Sequence, residues 1–287
     1  MKVKNIKFIS GAVLVFFLCA ASGSAVEFSL KISAGPDFLS PDEVNATSKS
    51  WERWQILNSE DTPNWTFLGG EVSEISLSYN FEIELLVSLS SRFAAGIASG
   101  YIFGDVSEEA TTLSIERVLG IFESAKPAKM SAIPLILSAY YFQPITSSLR
   151  LYARAGAGLL WATYVEREAN RKKDTEKYSY PLMLEASARD AAYLLALGLL
   201  FETEPGIQFF IEGSWRRAKL GGFAGEDQSG TEGTLFFFEE YDSSLDFWQG
   251  KYKILAEKPD GENFRGVKEG EIDFSGFAVK LGIMIRF

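Results

Sequence analysis

Residues 273–287, DFSGFAVKLGIMIRF, alternate between two kinds of side chain up to the last residue of the chain. Side chains that recur every second residue lie on one face of a β-strand. The other face carries small or charged residues, with Met284 as the one apolar exception. The large apolar face consists of Phe277, Val279, Leu281, Ile283, Ile285 and Phe287. The pattern therefore predicts a β-strand with one strongly apolar face and an aromatic end.

Seven earlier segments show the same alternation, and the connections between them alternate in length. The predicted strands are 27–35, 73–87, 93–103, 131–142, 148–165, 190–202, 207–220 and the terminal strand. Long loops are predicted at about 36–72, 104–130, 166–189 and 221–272. In a closed meander, alternate connections lie at the same end, so all long loops share one end. Strands of this length cross a bilayer when tilted, and closure satisfies every backbone group.

This arrangement predicts an all-β fold, an eight-stranded antiparallel up-and-down transmembrane β-barrel with long outer loops. Short turns on one side and long loops on the other are typical of such barrels. The alternative is a soluble periplasmic β-barrel in which the same alternation is inverted.

The amino terminus has the layout of a secretory signal peptide. Lys2, Lys4 and Lys7 precede the apolar stretch 8–21, and small residues occupy 22–25. We predict that residues 1–25 are a signal peptide cleaved after Ala25, which leaves a barrel domain of residues 26–287. The alternative is a retained anchoring helix, although the stretch is shorter than the roughly 20 residues that a spanning helix needs. Cys19, the one cysteine, would leave with the signal.

Charge and composition exclude several classes of function. The whole chain has 28 basic and 38 acidic residues, so loss of three lysines with the signal leaves a net charge of −13. Such a chain is not expected to bind nucleic acid. Histidine is absent, which removes Ser–His and Asp–His catalysis and every imidazole metal site. Adjacent acids such as Glu239 and Glu240 are typical of solvated loop charge. We therefore predict no catalytic residue, no metal, no cofactor and no enzymatic activity.

The tracts IPLILSAYYF (133–142) and LYARAGAGL (151–159), together with the aromatic terminal strand, resemble known membrane proteins. The chain is similar to the small eight-stranded outer-membrane barrels, the OmpA, OmpX and OmpW group. The resemblance implies residence in the bacterial outer membrane, with membrane lipid and lipopolysaccharide as neighbours. It also implies that the barrel assembly machinery reads the terminal strand, with Phe287, Ile285 and Ile283 as the assembly signal.

If the large apolar residues face lipid, the opposite faces line the barrel interior. An eight-stranded barrel is only wide enough for side chains to fill, and an unpaired charge there is costly. The sequence therefore predicts a salt-bridge network that closes the lumen. Its members are Lys31, Glu82, Glu84, Arg150, Arg154, Glu202, Glu212, Arg216, Lys280 and Arg286. The alternative is a gated ion path that uses the same charges.

Aromatic residues are concentrated in the longest predicted loop, and three tryptophans lie in the first. We predict that these side chains pack together into a small core outside the membrane. They are Trp51, Trp54, Trp65, Phe236, Phe237, Phe238, Tyr241, Phe247 and Trp248. The alternative is an exposed apolar surface that binds a partner.

The long loops carry the functional prediction. We expect a structural or binding protein of the cell surface that acts through its extracellular loops on a possible extracellular ligand or protein. The alternative is an OmpW-like channel for small hydrophobic or ionic solutes. The basic triplet 171–173 could pair with lipopolysaccharide phosphates, or it could be solvated charge.

Overall fold

The computed structural model describes residues 27–39, 41–173 and 179–287, so the predicted signal peptide lies outside the described residues. Within these ranges the chain forms seventeen strands, one α-helix and one short 3-10 turn, Glu109–Thr111. The helix is α1 (Asp42–Asp61). The strands are β1 (Phe28–Leu39), β2 (Thr66–Gly70), β3 (Leu77–Ser88), β4 (Phe93–Val106), β5 (Thr112–Arg117), β6 (Gly120–Ala125), β7 (Ala128–Pro144), β8 (Leu149–Lys172), β9 (Ser179–Glu204), β10 (Ile207–Arg217), β11 (Lys219–Leu220), β12 (Ala224–Asp227), β13 (Glu232–Asp242), β14 (Phe247–Leu255), β15 (Phe264–Glu269), β16 (Ile272–Asp273) and β17 (Gly276–Arg286).

Eight of these strands close into a ring. The order is β1, β3, β4, β7, β8, β9, β10 and β17, with every neighbouring pair antiparallel. The last strand closes the ring on the first, with Leu30 opposite Ile285 and Ile32 opposite Ile283. The predicted fold, an eight-stranded antiparallel up-and-down barrel, is confirmed.

Alternation along each strand separates an apolar outer wall from a polar interior. On β3, Tyr79, Phe81 and Ile83 point outward and are 42–53% exposed, whereas Glu82 and Glu84 on the opposite face are buried. The large apolar side chains therefore cover the outside of the barrel, as they do in barrels that face lipid.

Aromatic side chains form a band at each edge of this apolar wall. We call the end with the short turns the lower end and the end with the long connections the upper end. The upper band contains Phe38, Tyr79, Tyr101, Trp161, Tyr193, Trp215 and Phe277, all exposed. The lower band contains Phe28, Phe93, Tyr141, Phe201 and Phe209. Two such girdles mark the two membrane interfaces in transmembrane barrels.

The predicted long loops are largely regular structure, which corrects the loop boundaries. Segment 36–72 includes the end of β1, α1 and β2, and segment 104–130 includes β5 and β6. Segment 166–189 is mostly strand, since β8 runs to Lys172, β9 starts at Ser179 and the two pair as far up as Asn170 and Ser179. Segment 221–272 includes β12 to β16. The charged residues of segment 221–272 lie on solvated strands. Alternation between apolar and polar side chains is weaker on these strands than on the strands of the barrel.

The upper ends of β8 and β9 continue into a second β structure, which we call the upper sheet. On one side β8 pairs with β6, followed by β5 and β2. On the other side β9 pairs with β12, followed by β13, which carries β14 and β15. The upper sheet is therefore a continuation of the barrel wall.

Helix α1 packs against β14 of the upper sheet, and the sequence pattern does not predict it. Asp42 and Glu43 in its first turn favour the helix dipole, and Thr62 ends it in an extended conformation. The residues that it buries are mostly polar, among them Thr47, Ser48 and Gln55. A helix without an apolar stripe gives no 3.6-residue hydrophobic period.

Candidate functional site

Six charged side chains meet at mid-height in the barrel interior, and we call them the central charge cluster. They are Lys31, Glu82, Glu84, Arg154, Glu212 and Lys280, each at most 4% exposed. Register makes two pairs direct neighbours, because Lys31 lies opposite Glu84 and Glu212 lies opposite Lys280. Alternation turns these side chains inward, so the strands themselves bring the cluster together.

Arg154 reaches from β8 to the carboxylates of β3 on the opposite wall. Its Nη1 lies 2.6 Å from Glu82 Oε1, and its Nη2 lies 3.3 Å from Glu84 Oε2. Lys31 Nζ is 2.5 Å from Glu212 Oε2, and Lys280 Nζ is 2.8 Å from Glu212 Oε1. Three cations and three carboxylates are thus paired within one buried layer.

Two tyrosines add hydrogen bonds to the cluster. Tyr140 accepts a hydrogen bond from Lys31 Nζ (3.1 Å) and donates one to Glu84. Tyr152 donates to Glu212 Oε2 at 2.9 Å. Sequence reasoning did not include either tyrosine, although Tyr152 lies midway between Arg150 and Arg154 and therefore shares their inward face. The two-residue period of side chains along the strand was the signal that could have identified Tyr152.

The other predicted lumen residues lie at two different levels. Arg216 is nearer the upper end, where its Nη2 is 2.8 Å from Asp37 Oδ2 and its Nε donates to the Phe274 carbonyl oxygen at 2.9 Å. Arg150, Glu202 and Arg286 lie at the lower mouth and are partly exposed. The Arg150 Nη2 to Glu202 Oε2 distance is 3.4 Å.

The lower mouth opens into a cavity of about 440 Å³, lined by side chains that include Arg150, Gln208 and Arg286. Between this mouth and the central charge cluster lies a layer that contains Phe142, Leu200 and Phe210. The lower mouth is therefore separated from the cluster by apolar side chains.

Above the central charge cluster the interior becomes apolar. Inward side chains of β7 change from Tyr140 and Ser138 to Ile136, Ala132 and Met130 toward the upper end. Ile136, Ala132 and Met130 belong to one buried group that also includes Leu39, Val44, Ile102, Leu160, Leu220, Phe223 and Phe274. Residues of α1 and of the segment after β10 thus contribute to the upper interior.

The predicted aromatic cluster is divided among several contacts. Trp51 is buried with Val72 and Leu113, and its Nε1 donates to Glu168 Oε1 at 3.2 Å. Trp54 Nε1 donates to Asp242 Oδ2 at 2.9 Å. Trp65 stacks on the Arg117 guanidinium, 3.9 Å from the ring centre.

The aromatics of β13 and β14 find other partners on the upper sheet. Ring centres are 5.0 Å apart for Tyr241 and Trp248, 5.4 Å for Phe238 and Phe264, and 5.8 Å for Phe237 and Tyr252. Phe236 is buried and Phe247 is half-buried. The first-loop tryptophans meet this region through the hydrogen bond from Trp54 to Asp242.

The predicted assembly residues lie on the outer face of the closing strand. Ile283 and Ile285 are half-buried against their neighbours, and Phe287 is 68% exposed. The Phe287 amide donates to the Phe28 carbonyl at 3.0 Å, so the terminal residue still pairs with β1.

Comparison with solved structures finds outer-membrane proteins at low similarity. OprG from Pseudomonas aeruginosa is 9% identical, with a TM-score of 0.41 over 92% of this chain and 96% of OprG. A major outer membrane protein from Thermus thermophilus is 10% identical, with a TM-score of 0.42 over 92% of this chain and 100% of that protein. The outer membrane protease OmpT from Escherichia coli is 9% identical, with a TM-score of 0.40 over 93% of this chain and 98% of OmpT. Neither a protein-family model nor a curated protein matches the chain.

Proposed function

We propose that this chain is an integral barrel of the bacterial outer membrane with a closed lumen, and that it works as a structural or binding protein through its extracellular part. The observation that carries the proposal is the combination of an apolar outer wall with an interior filled by paired charges and apolar side chains. In this proposal the lower end is periplasmic and the upper sheet is extracellular.

The outer wall supports placement in a membrane. Leu195, Leu197 and Leu281 are 55–64% exposed, and they lie between two aromatic bands. Soluble proteins rarely expose contiguous apolar patches above a few hundred Å². Lipid and lipopolysaccharide would cover this wall, and the assembly machinery would read the terminal strand with Phe287. In the described residues no helix is long and apolar enough to span a membrane.

The interior supports a closed lumen. A permeating ion would have to separate Arg154 from Glu82 and Lys31 from Glu212, in a layer with almost no solvent exposure. Leaving one buried charge without its partner costs about 3–5 kcal/mol. The apolar layer above the cluster adds a second barrier, because it offers few polar groups to replace ion hydration.

We also propose that the chain is not an enzyme. It contains no histidine, and no group of three or more metal-ligating side chains was found among residues 27–39, 41–173 and 179–287. The central carboxylates are engaged by three cations, which leaves them poorly suited to exchange protons with a substrate.

Single-channel recording in planar bilayers tests the closed lumen. The refolded chain, whose insertion is verified by heat-modifiable migration on gels, should give no resolvable conductance steps. A matched variant, Arg150→Gln, changes the lower mouth and should also give no resolvable conductance steps.

Steady openings of the unaltered chain would overturn the closed lumen and favour the OmpW-like channel. In that case Arg154→Gln and Lys280→Gln should change the ion selectivity, because both side chains would line the path.

A further inference from the structure

The hairpin formed by β5 and β6 ends in two aliphatic residues that nothing in the described chain covers. Val118 and Leu119 are 77% and 75% exposed, the highest values among the large apolar side chains of residues 27–39, 41–173 and 179–287. Unlike the exposed leucines of the barrel wall, they lie on the upper sheet, outside the two aromatic bands. We call residues 117–120 the hairpin tip.

The turn itself does not require these aliphatic residues. Arg117 pairs with Gly120, so Val118 and Leu119 are the two connecting residues. Gly120 adopts the one positive φ of the tip (121°), the conformation that glycine accommodates without strain. Gly, Asn, Asp and Ser are the usual residues of such turns. Two aliphatic side chains here have no role in the backbone geometry and are unfavourable in water.

The hairpin tip is held in a fixed position. β5 pairs with β2 on one side, and β6 pairs with β8 on the other. The Arg117 guanidinium lies between two rings, 3.9 Å from the centre of Trp65 and 4.9 Å from that of Phe122. The base of the tip is therefore rigid.

Two lysines lie beside the tip in a chain that is acidic as a whole, with a net charge of −10. Lys172 lies opposite Phe122, with its aliphatic stem beside Gly120, and the Lys173 amide donates to the Ile121 carbonyl at 2.9 Å. Both lysines are exposed. The acidic residues of the hairpin are Glu116, which is exposed, and Glu123, which is paired with Arg171.

We propose that the hairpin tip docks on an anionic lipid surface that faces the cell. Lipid bilayers accept a convex apolar tip, and each nearby Lys or Arg strengthens attachment to anionic headgroups. A stable protein interface needs about 800 Å² per partner, far more than two side chains offer. Charge and shape together therefore favour lipid over a protein pocket.

The facing surface is not the membrane that holds the barrel. On β8, Lys172 follows the upper-band residue Trp161 by 11 residues. That distance is roughly 36 Å along the strand at about 3.3 Å per residue. The inference rests on the proposed function, since it requires the upper sheet to be extracellular.

Vesicle flotation with the whole barrel tests the inference. The protein is inserted into nanodiscs of zwitterionic phosphatidylcholine and mixed with vesicles that contain phosphatidylglycerol or phosphatidylcholine alone. It should float with the anionic vesicles only. The double variant Val118→Ser with Leu119→Ser should bind roughly tenfold or more weakly, because it removes two aliphatic side chains from the lipid. Ile145→Ser, which alters an exposed aliphatic residue of a lower turn, should bind like the unaltered protein.

A second pair of variants separates charge from apolar insertion. Lys172→Gln with Lys173→Gln should weaken flotation and reduce its dependence on salt. Absence of flotation with anionic vesicles would overturn the inference and leave a protein as the occupant, and flotation that survives the serine variants would overturn it as well. Failure of the chain to insert into nanodiscs would instead contradict the proposed function.

Discussion

At the scale of single residues, the central charge cluster is stable only as a complete set. Arg154 pairs with carboxylates of β3, and Lys31 and Lys280 share Glu212. Replacing a whole buried ion network by apolar residues is often neutral, but removing one partner leaves a charge without compensation. The balance of three cations and three carboxylates is therefore the property that mutations test.

We expect Arg154→Met to destabilise the barrel by about 3–5 kcal/mol, because Glu82 and Glu84 lose their guanidinium partner in a buried site. Arg150→Met is the matched control at the partly exposed lower mouth, where the loss should be about 0–1 kcal/mol. Reversible urea unfolding in lipid vesicles measures both. Equal effects would contradict the assignment of Arg154 to the buried cluster.

The carboxyl group of Asp242 gives the upper sheet a dependence on pH. Hydrogen bonds from Ser244 and from Trp54 lower the pKa of Asp242 below its ordinary value. Because the folded pKa is lower than the unfolded one, about 3.9, the stabilising contribution is complete above that pH. It is lost as the pH falls through the folded pKa.

Hydrogen exchange, corrected for intrinsic rates, should therefore show less protection of the turn between β13 and β14 at acid pH than at pH near 7. Asp242→Asn removes the ionising group and should flatten this difference. A pH dependence that is unchanged in the variant would assign the effect to other carboxylates.

At the scale of elements, the strands of the barrel could be predicted and α1 could not. An apolar outer wall around a polar interior requires alternation along the strand, and β3 shows it from Leu77 to Leu86. Helix α1 buries Thr47 and Gln55 against the upper sheet, so its pattern lacks the apolar stripe that identifies a helix. The upper parts of β8 and β9 have the sequence pattern of a loop because both of their faces carry charged residues above the apolar wall of the barrel.

The predicted lumen residues illustrate a second limit of sequence reasoning. The two-residue period of a strand indicates which side chains point inward, and Glu82, Glu84 and Arg154 on the predicted inner face are buried in the structure. It does not indicate which strands lie opposite each other at a given height, because register and stagger set that. Arg150 and Arg154 lie on the same face of β8, but about 13 Å of strand separates them, so Arg150 is at the partly exposed lower mouth and Arg154 is in the buried cluster.

Gly198 of β9 provides room for Tyr152, one of the two tyrosines that hydrogen-bond to the cluster. A Cβ at this position would lie 2.3 Å from Tyr152 Cζ, so Gly198→Ala must displace the ring from Glu212. We expect a loss of about 1–3 kcal/mol in unfolding experiments, the usual range for overpacking.

Gly213→Ala on the neighbouring strand is the control, since its Cβ would meet only the edge of the Phe277 ring at 3.3 Å. This substitution should cost less. A smaller loss for Gly198→Ala than for Gly213→Ala would show that the Tyr152 ring can move without affecting the cluster.

At the scale of the whole molecule, the barrel and the upper sheet form one continuous structure. The strands β8 and β9 pair from Leu149 and Phe201 at the lower end up to Asn170 and Ser179 in the upper sheet, and residues after β10 enter the upper interior of the barrel. Helix α1 is fixed to the same structure, since Asn45 exchanges two hydrogen bonds with the backbone of Ile75. A ligand bound to the upper sheet would therefore contact a rigid extension of the barrel wall.

Thiol labelling of intact cells tests which end of this structure faces outward. Cys19 is the one native cysteine, so Cys19→Ser provides a background without thiols. In that background, Leu119→Cys in the hairpin tip should react with a large membrane-impermeant maleimide on intact cells. Ile145→Cys in a lower turn should react only after the outer membrane is permeabilised. Both positions are exposed apolar residues of turns, so a difference in labelling reports their side of the membrane. Labelling of Ile145→Cys alone would reverse the orientation, and equal labelling of both on intact cells would contradict insertion in the outer membrane.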